Sequence, residues 1–249
     1  NLAERYGEWA LVTGASAGIG EAFAKALAQE GLNVVLTARR RDRLEALAVE
    51  IERDQGVQTR CVDVDLTSDK GPQALIDSVQ DLAIGILVNN AGIPDAQRAH
   101  KMSNELIDAV FDTNLRGPYV LSCEIARRLI AAEKPGRMVN ISSVGGFNYG
   151  GNGAALYSIT KSAIVRMTEC LAVEWARYNI NVNAIAPGAF SSEMMDGMLE
   201  RLGDIAQHFP RKRICDPAQM DSTLLYFLSP ASEAVTGTYI KIDDGQGSR

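Results

Sequence analysis

Short apolar, β-branched runs alternate along the chain with longer stretches whose apolar positions recur at helical spacing. The strand-like runs fall at 10–13, 34–37, 58–62, 86–88, 137–141, 181–186 and 239–242. Between them, 19–30, 41–54, 71–82, 104–132, 157–178 and 217–228 read as helices. Ile19, Phe23 and Leu27 line one helical face, and Ile164, Met167, Leu171 and Trp175 another; both stripes belong to a core. Strand–helix alternation demands a parallel sheet joined by right-handed crossovers. Strands that are apolar almost throughout suit burial on both sides. The expected fold class is therefore α/β, a doubly wound parallel sheet of about seven strands with helices on both faces.

No linker, repeat or low-complexity tract interrupts the 249 residues, so a single domain over 1–249 is expected. One stretch breaks the rhythm. Residues 188–214 follow the sixth strand, hold Met194, Met195, Met198, Leu199 and Leu202, and lead into no strand. An insertion at the carboxyl end of a strand sits where ligands bind in such sheets, so this one is expected to be a substrate lid.

Composition narrows the partners. A net charge of -6 argues against nucleic acid or an anionic membrane, since both favour basic patches. No apolar run approaches the ~20 residues of a membrane-spanning helix. Cys61, Cys123, Cys170 and Cys215 are widely spaced and form no CxxC or Cys/His pattern, so no metal site is expected. The polar opening, residues 1–8, carries no signal-peptide pattern, and reduced thiols point to a cytoplasmic protein. His100 and His208 stand alone and read as surface or loop residues.

The first strand runs into Thr13-Gly14-Ala15-Ser16-Ala17-Gly18-Ile19-Gly20. A tight glycine turn opening a helix presents free N–H groups to a pyrophosphate, which makes Gly14, Ser16, Gly18, Ile19 and Gly20 candidate cofactor contacts. Dinucleotide sites for NAD usually carry an acid at the end of the second strand, to hold the ribose hydroxyls. Here the sequence is Thr37-Ala38-Arg39-Arg40-Arg41. The acid is absent, and a guanidinium from Arg39 or Arg40 can grip a 2′-phosphate, so NADP is favoured over NAD.

With that turn in place, residues 9–246 resemble the single-domain branch of the short-chain dehydrogenase/reductase family, whose fold is Rossmann-type. The resemblance implies that Asp63 and Val64 contact adenine and that Asn90, Ala91 and Gly92, in Asn-Asn-Ala-Gly, line the adenosine side. It implies that Asn114, Ser143, Tyr157 and Lys161 form the catalytic set, with Tyr157 and Lys161 in Tyr-Ser-Ile-Thr-Lys. It further implies that Tyr157 and Lys161 also touch the cofactor, that Pro187-Gly188 turns beneath the nicotinamide, and that Ser192 binds the carboxamide. Ala17 departs from the basic residue common in NADP-preferring relatives, which leaves the phosphate grip to the Arg39 region. The glycine-rich stretch between Ser143 and Tyr157 offers Phe147 and Tyr149 as walls of the substrate mouth. A homo-oligomer, tetramer or dimer, is implied by resemblance alone.

The chemistry follows from the residue types. Reducing a ketone needs a hydride on carbon and a proton on oxygen. Tyr157 and Lys161 share a helix face, and a lysine charge about 4–5 Å away would lower a phenol's pKa by about two to three. Ser143 can stabilise a developing alkoxide, and Asn114 is expected to hold a water that relays protons to Lys161. The reading is an NADP-dependent oxidoreductase interconverting a small-molecule ketone and a secondary alcohol, with Tyr157 as general acid/base. Its first alternative is a 3-oxoacyl-[acyl-carrier-protein] reductase. Meeting an acidic carrier would require a basic patch, for which Arg127, Arg128, Arg211, Lys212 and Arg213 are candidates. NAD-linked oxidation of a sugar alcohol or hydroxysteroid, and a methyltransferase, both expect an acid where Arg39 stands. A non-catalytic redox sensor need not retain Ser143, Tyr157 and Lys161.

Overall fold

A computed structural model describes residues 1–247; residues 248 and 249 of the expected domain lie outside the described residues. Seven strands form one all-parallel sheet: β1 (Trp9–Thr13), β2 (Asn33–Ala38), β3 (Thr59–Asp63), β4 (Ile84–Asn89), β5 (Gly136–Ile141), β6 (Ile180–Pro187) and β7 (Tyr239–Ile242). Their spatial order is β3-β2-β1-β4-β5-β6-β7. The chain winds outward from β1 to β3, then returns and winds the other way from β4. The cleft between the carboxyl ends of β1 and β4 is therefore the switch point at which such sheets bind ligands.

Nine α-helices occur among the described residues: α1 (Leu2–Tyr6), α2 (Gly18–Gln29), α3 (Arg41–Gln55), α4 (Gly71–Ser78), α5 (Asn104–Phe111), α6 (Gly117–Ala131), α7 (Ala155–Trp175), α8 (Glu193–Leu202) and α9 (Asp221–Leu228). Successive strand residues point to opposite faces, which builds two cores. Val12, Leu36, Val88 and Val139 meet Phe23 and Leu27 of α2, Leu44 of α3 and Phe227 of α9. Their neighbours Leu11, Val35, Leu87 and Met138 meet Leu75 of α4, Leu121 and Ile125 of α6 and Ile164 and Leu171 of α7. Both helical stripes read from the sequence lie in these cores.

The strands fall where the pattern places them, with ends moved by a residue or two. The helices depart more. The expected helix 104–132 is broken by a π-helical turn, Asp112–Arg116, between α5 and α6. The cause is Pro118: the N–H that would bond the Asn114 carbonyl in an α-helical ladder does not exist. The stretch 217–228 opens as a 3-10 turn, Pro217–Met220, before α9, and 157–178 begins earlier, at Ala155, and ends in a 3-10 turn. Helix 71–82 stops at Ser78. Helix α1 was not anticipated, because five residues carry too little periodicity to register; Asn1 caps it, and Leu2 and Tyr6, one turn apart, are its buried pair.

Candidate active site

The glycine turn is locked from both sides. Gly14 has φ 67, a left-handed backbone that glycine adopts without strain. A Cβ on Gly20 would lie 2.2 Å from the Gly14 carbonyl oxygen, so the turn closes only around a bare backbone. The Asn90 amide donates to the carbonyls of Thr13 (3.1 Å) and Gly14 (3.2 Å), and Thr13 Oγ1 accepts from the N–H groups of Asn90 and Ala91 (3.0 Å each). The end of β4 thus holds the end of β1. Ala17 is the N-cap of α2 and offers no capping oxygen, so the first N–H groups of that helix keep their capacity for an anion. Ile19 packs on the core from this first turn.

The three arginines after β2 part company. Arg39 is exposed, and its charge acts on Asp65. Arg40, the N-cap of α3, donates to Ser16 Oγ (3.1 Å) and to Glu193 (2.6 Å). Arg41 turns to Glu45 (2.7 Å) and to Asp63 (2.8 Å) at the end of β3. The guanidinium tied to the glycine turn is therefore that of Arg40. The sequence left the grip to Arg39 or Arg40; of these two neighbours the backbone turns Arg40 toward Ser16. Val64 continues the β3 edge, its N–H bonded to the Ala38 carbonyl (3.0 Å).

The candidate reacting groups gather at the ends of β4 and β5 and in the first turns of α7. Ser142 and Ser143 leave β5 on opposite sides: Ser142 is buried and donates to the Lys161 carbonyl (2.7 Å), which leaves Ser143 for the cleft. The Ser143 hydroxyl hydrogen-bonds the Tyr157 phenol. Lys161 Nζ lies 5.6 Å from the centre of the Tyr157 ring, donates to the Ile141 carbonyl (2.9 Å), and is 4% exposed. A Cβ on Gly92 would come within 3.2 Å of Lys161 Nζ and 3.5 Å of Asn114 Oδ1, so the bare Gly92 backbone is what lets these groups converge. Asn114 is 1% exposed; its amide donates to Ile93 O (3.0 Å) and Thr160 Oγ1 (3.2 Å), and its Oδ1 accepts from Ile93 N (2.8 Å).

The electrostatics correct one expectation. Burial pushes the Tyr157 pKa up; the Ser143 hydrogen bond opposes this and the charge of Asp95 adds to it. Burial also pushes Lys161 down, from 10.5 to about 8. Desolvation is the largest cause for both members of the pair, so the phenol moves up where the sequence expects it to move down.

Pro187 ends β6, and Gly188 donates to the Ile242 carbonyl (2.8 Å). Ser192 caps α8, accepting from Met195 N (3.2 Å), and lies over the glycine turn: a Cβ on Gly18 would meet Ser192 Cβ at 3.2 Å. The stretch 188–214 is thus helical in its middle, and α8 has no buried residue. Phe147 packs against Tyr239 (4.8 Å between centroids) with Lys241 Nζ 4.4 Å from its ring centre, while Tyr149 is exposed. An aromatic partner and a cation on β7 thus hold the Phe147 ring.

Four further residues shape the site; Asp95, Thr160 and Glu193 went unread in the sequence, and Ser142 was read only as the neighbour of Ser143 facing the other way. Asp95, 3% exposed, accepts from Leu156 N (2.9 Å) at the start of α7, and Thr160 holds Asn114. Ser142 anchors α7, and Glu193 bridges to Arg40. Each acts across a long sequence separation, and an isolated Asp, Thr, Ser or Glu carries no local signature. Among the described residues no helix is long and apolar enough to cross a membrane, and no group of three metal-binding side chains occurs.

Residues 8–202 match the family model described as short chain dehydrogenase. The chain belongs to the short-chain dehydrogenase/reductase family. It is 34% identical over 242 residues to a 3-oxoacyl-[acyl-carrier-protein] reductase of Aquifex aeolicus, covering 96% of this chain and 97% of that one. It is 35% identical to an acetoacetyl-CoA reductase of an Acinetobacter species, over 95% of this chain and 96% of the relative. Among solved structures, an actinorhodin polyketide ketoreductase with NADPH superposes with a TM-score of 0.89 at 32% identity, over 97% of this chain and 98% of that one. A 2-deoxy-D-gluconate 3-dehydrogenase-like protein of Agrobacterium tumefaciens with bound NADP gives 0.86 at 32% identity, covering 96% of each. As a member of this family the chain is a nicotinamide-dependent oxidoreductase acting on alcohol and carbonyl groups.

Proposed function

We propose that this oxidoreductase reduces a small-molecule ketone to a secondary alcohol with NADP as cofactor, through Tyr157 as general acid. The observation that carries the reading is the convergence of the Ser143 hydroxyl, the Tyr157 phenol and the Lys161 ammonium beside the bare backbone of Gly92. The residues present fit the dinucleotide: Gly14 and Gly20 leave no room for a Cβ, the start of α2 lacks a side-chain cap, and Arg40 stands at Ser16. The bound nicotinamide supplies the hydride.

The protein's part is proton handling and positioning. Ser143 donates a hydrogen bond to the substrate oxygen and steadies the charge that develops there. Tyr157 gives its proton to that oxygen. Lys161 holds the ribose side of the nicotinamide and stabilises the phenolate left behind. Asn114 ties the loop after Gly92 to α7, and its carbonyl, freed by Pro118, is the acceptor for a water leading to Lys161. Asp63, Val64, Asn90, Ala91, Pro187, Gly188 and Ser192 line the rest of the cofactor's path, and 188–214 closes over the substrate.

Reduction of a 3-oxoacyl thioester is the second reading, favoured by the two curated relatives. The carrier-protein form remains compatible: Arg127 and Arg128 share the single Glu124, and Arg211 and Arg213 share the single Asp244 with the exposed Lys212 between them, so each cluster holds more cations than carboxylates.

Fluorescence titration with NADPH and NADH tests the cofactor, and ketone reduction tests the chemistry. NADPH binds the wild type more tightly, Arg40→Ala loses that preference while Arg39→Ala keeps most of it, and Tyr157→Phe binds normally but reduces ketones about 100-fold or more slowly. Equal binding of both cofactors would overturn the NADP reading; an active Tyr157→Phe would overturn the general acid.

A further inference from the structure

One carboxylate joins the lid to the arginines after β2. Glu193 Oε1 accepts from Arg40 Nη1 (2.6 Å) and from Arg43 Nη1 (2.7 Å), so two guanidiniums converge on a single oxygen. Arg40 at the same time donates to Ser16 in the glycine turn. The pair and the hydroxyl form the two-pronged, charge-assisted anion grip that a phosphate would use, and a side-chain carboxylate fills it. Arg40 holds the Glu193 carboxyl below the usual range, which keeps it anionic at neutral pH.

The position of Glu193 gives this contact leverage. It is the first residue of α8, directly after Ser192, whose side chain rests over Gly18. Helix α8 buries none of its own residues, so little core packing holds it. The ion pairs to Arg40 and Arg43 tether its first turn to the far side of the cleft. A 2′-phosphate brought to Arg40 would meet the Glu193 charge at close range, and like charges cannot share the grip without loss.

We infer that Glu193 is a cofactor-specificity residue and lid latch: its carboxylate competes with the 2′-phosphate of NADP for Arg40 and Arg43, and phosphate binding frees the first turn of α8. The inference rests on the NADP reading above. NAD carries no such phosphate and leaves the latch closed. Glu193 therefore lowers the NADP-over-NAD preference that the arginines alone would give, and couples the nucleotide bound to the freedom of the lid.

The probes are adenosine 2′,5′-bisphosphate and adenosine 5′-phosphate, which carry the phosphate difference without the nicotinamide. Their affinities are measured by calorimetry for wild type, Glu193→Gln and Arg40→Ala, with amide hydrogen exchange across 193–202 as a readout independent of activity. The expected result is roughly 5-fold tighter bisphosphate binding by Glu193→Gln with 5′-phosphate binding unchanged. Exchange in α8 rises in the ligand-free Glu193→Gln variant, and in wild type on adding the bisphosphate. If Glu193→Gln leaves bisphosphate binding unchanged or weaker while Arg40→Ala abolishes it, the latch is overturned and the NADP reading stands. If Arg40→Ala changes nothing and the two nucleotides bind alike, the NADP reading fails and the latch fails with it.

Discussion

Lys161 carries its amine at 4% exposure, with the Ile141 carbonyl as its partner, and burial takes it down to about 8. A lysine depressed on folding is one whose charged form the fold disfavours. Below pH 8 the folded chain holds a charge that costs free energy, and stability rises with pH between about 8 and the ordinary 10.5. Lys161→Met should then stabilise the protein at pH 7 while removing activity. Relief of desolvation is worth about 2–3 kcal/mol, less about 1 kcal/mol for the carbonyl left without its donor. Thermal melts should show a Tm higher by about 3 °C at pH 7, a gain that shrinks at pH 10. An unchanged or lower Tm at pH 7 would mean that the ammonium sits there without penalty. The same pKa value predicts that ketone reduction declines as pH rises through about 8, where the phenolate loses the charge that stabilises it.

At the scale of elements, α7 is held at its start by a residue from another loop. Ala154, its N-cap, provides no side-chain oxygen, and Asp95 supplies one from across the cleft to Leu156 N. Asp95→Ala removes that cap and should cost about 1–2 kcal/mol in denaturant titrations. Asp95→Asn keeps an acceptor but removes a charge that raises the Tyr157 pKa. Tyr157 then loses its proton at lower pH, so the phenol's own titration, followed by phenolate absorbance against a Tyr157→Phe reference, should move to lower pH with stability little changed. An unmoved titration alongside a normal Tm would limit Asp95 to a structural cap. The groups facing Tyr157 in this comparison are Ser143, Lys161 and Asp95.

Across the whole molecule, a buried polar chain links the two helices that build the reacting end. Asn89 of β4 donates to Ser122 of α6 (3.0 Å) and to Asn140 of β5 (2.8 Å), and Asn140 donates to Thr168 of α7 (2.9 Å). Within an apolar sheet these bonds fix how α6 and α7 sit on β4 and β5, since an unpaired amide there would be expensive. Asn140→Val should destabilise by about 2 kcal/mol, because it strands a donor of Asn89, and should lower kcat by shifting α7. Urea unfolding and single-turnover rates check the two effects; a loss of stability with unchanged turnover would confine the chain to holding the sheet.

The order of the motifs and the two periodicities determined the fold class, the seven strands, the glycine turn and the positions of Asn114, Ser143, Tyr157 and Lys161, because each depends on neighbours within a few residues. A period of two or of 3.6 and a tight turn are local facts. That Ser142 and Ser143 face opposite sides was legible for the same reason, alternation along β5 being a property of the strand; the choice of Ser143 came from the resemblance of its Ser-Val-Gly-Gly context to the family. What the tertiary structure decided is everything that depends on distant chain meeting. It chose Arg40 over Arg39 for Ser16, sent Phe147 to β7, and set Asp95 on the start of α7. It also raised the Tyr157 pKa where pairing with Lys161 alone would lower it, because desolvation is set by all the surrounding chain and not by the spacing of two residues on one helix.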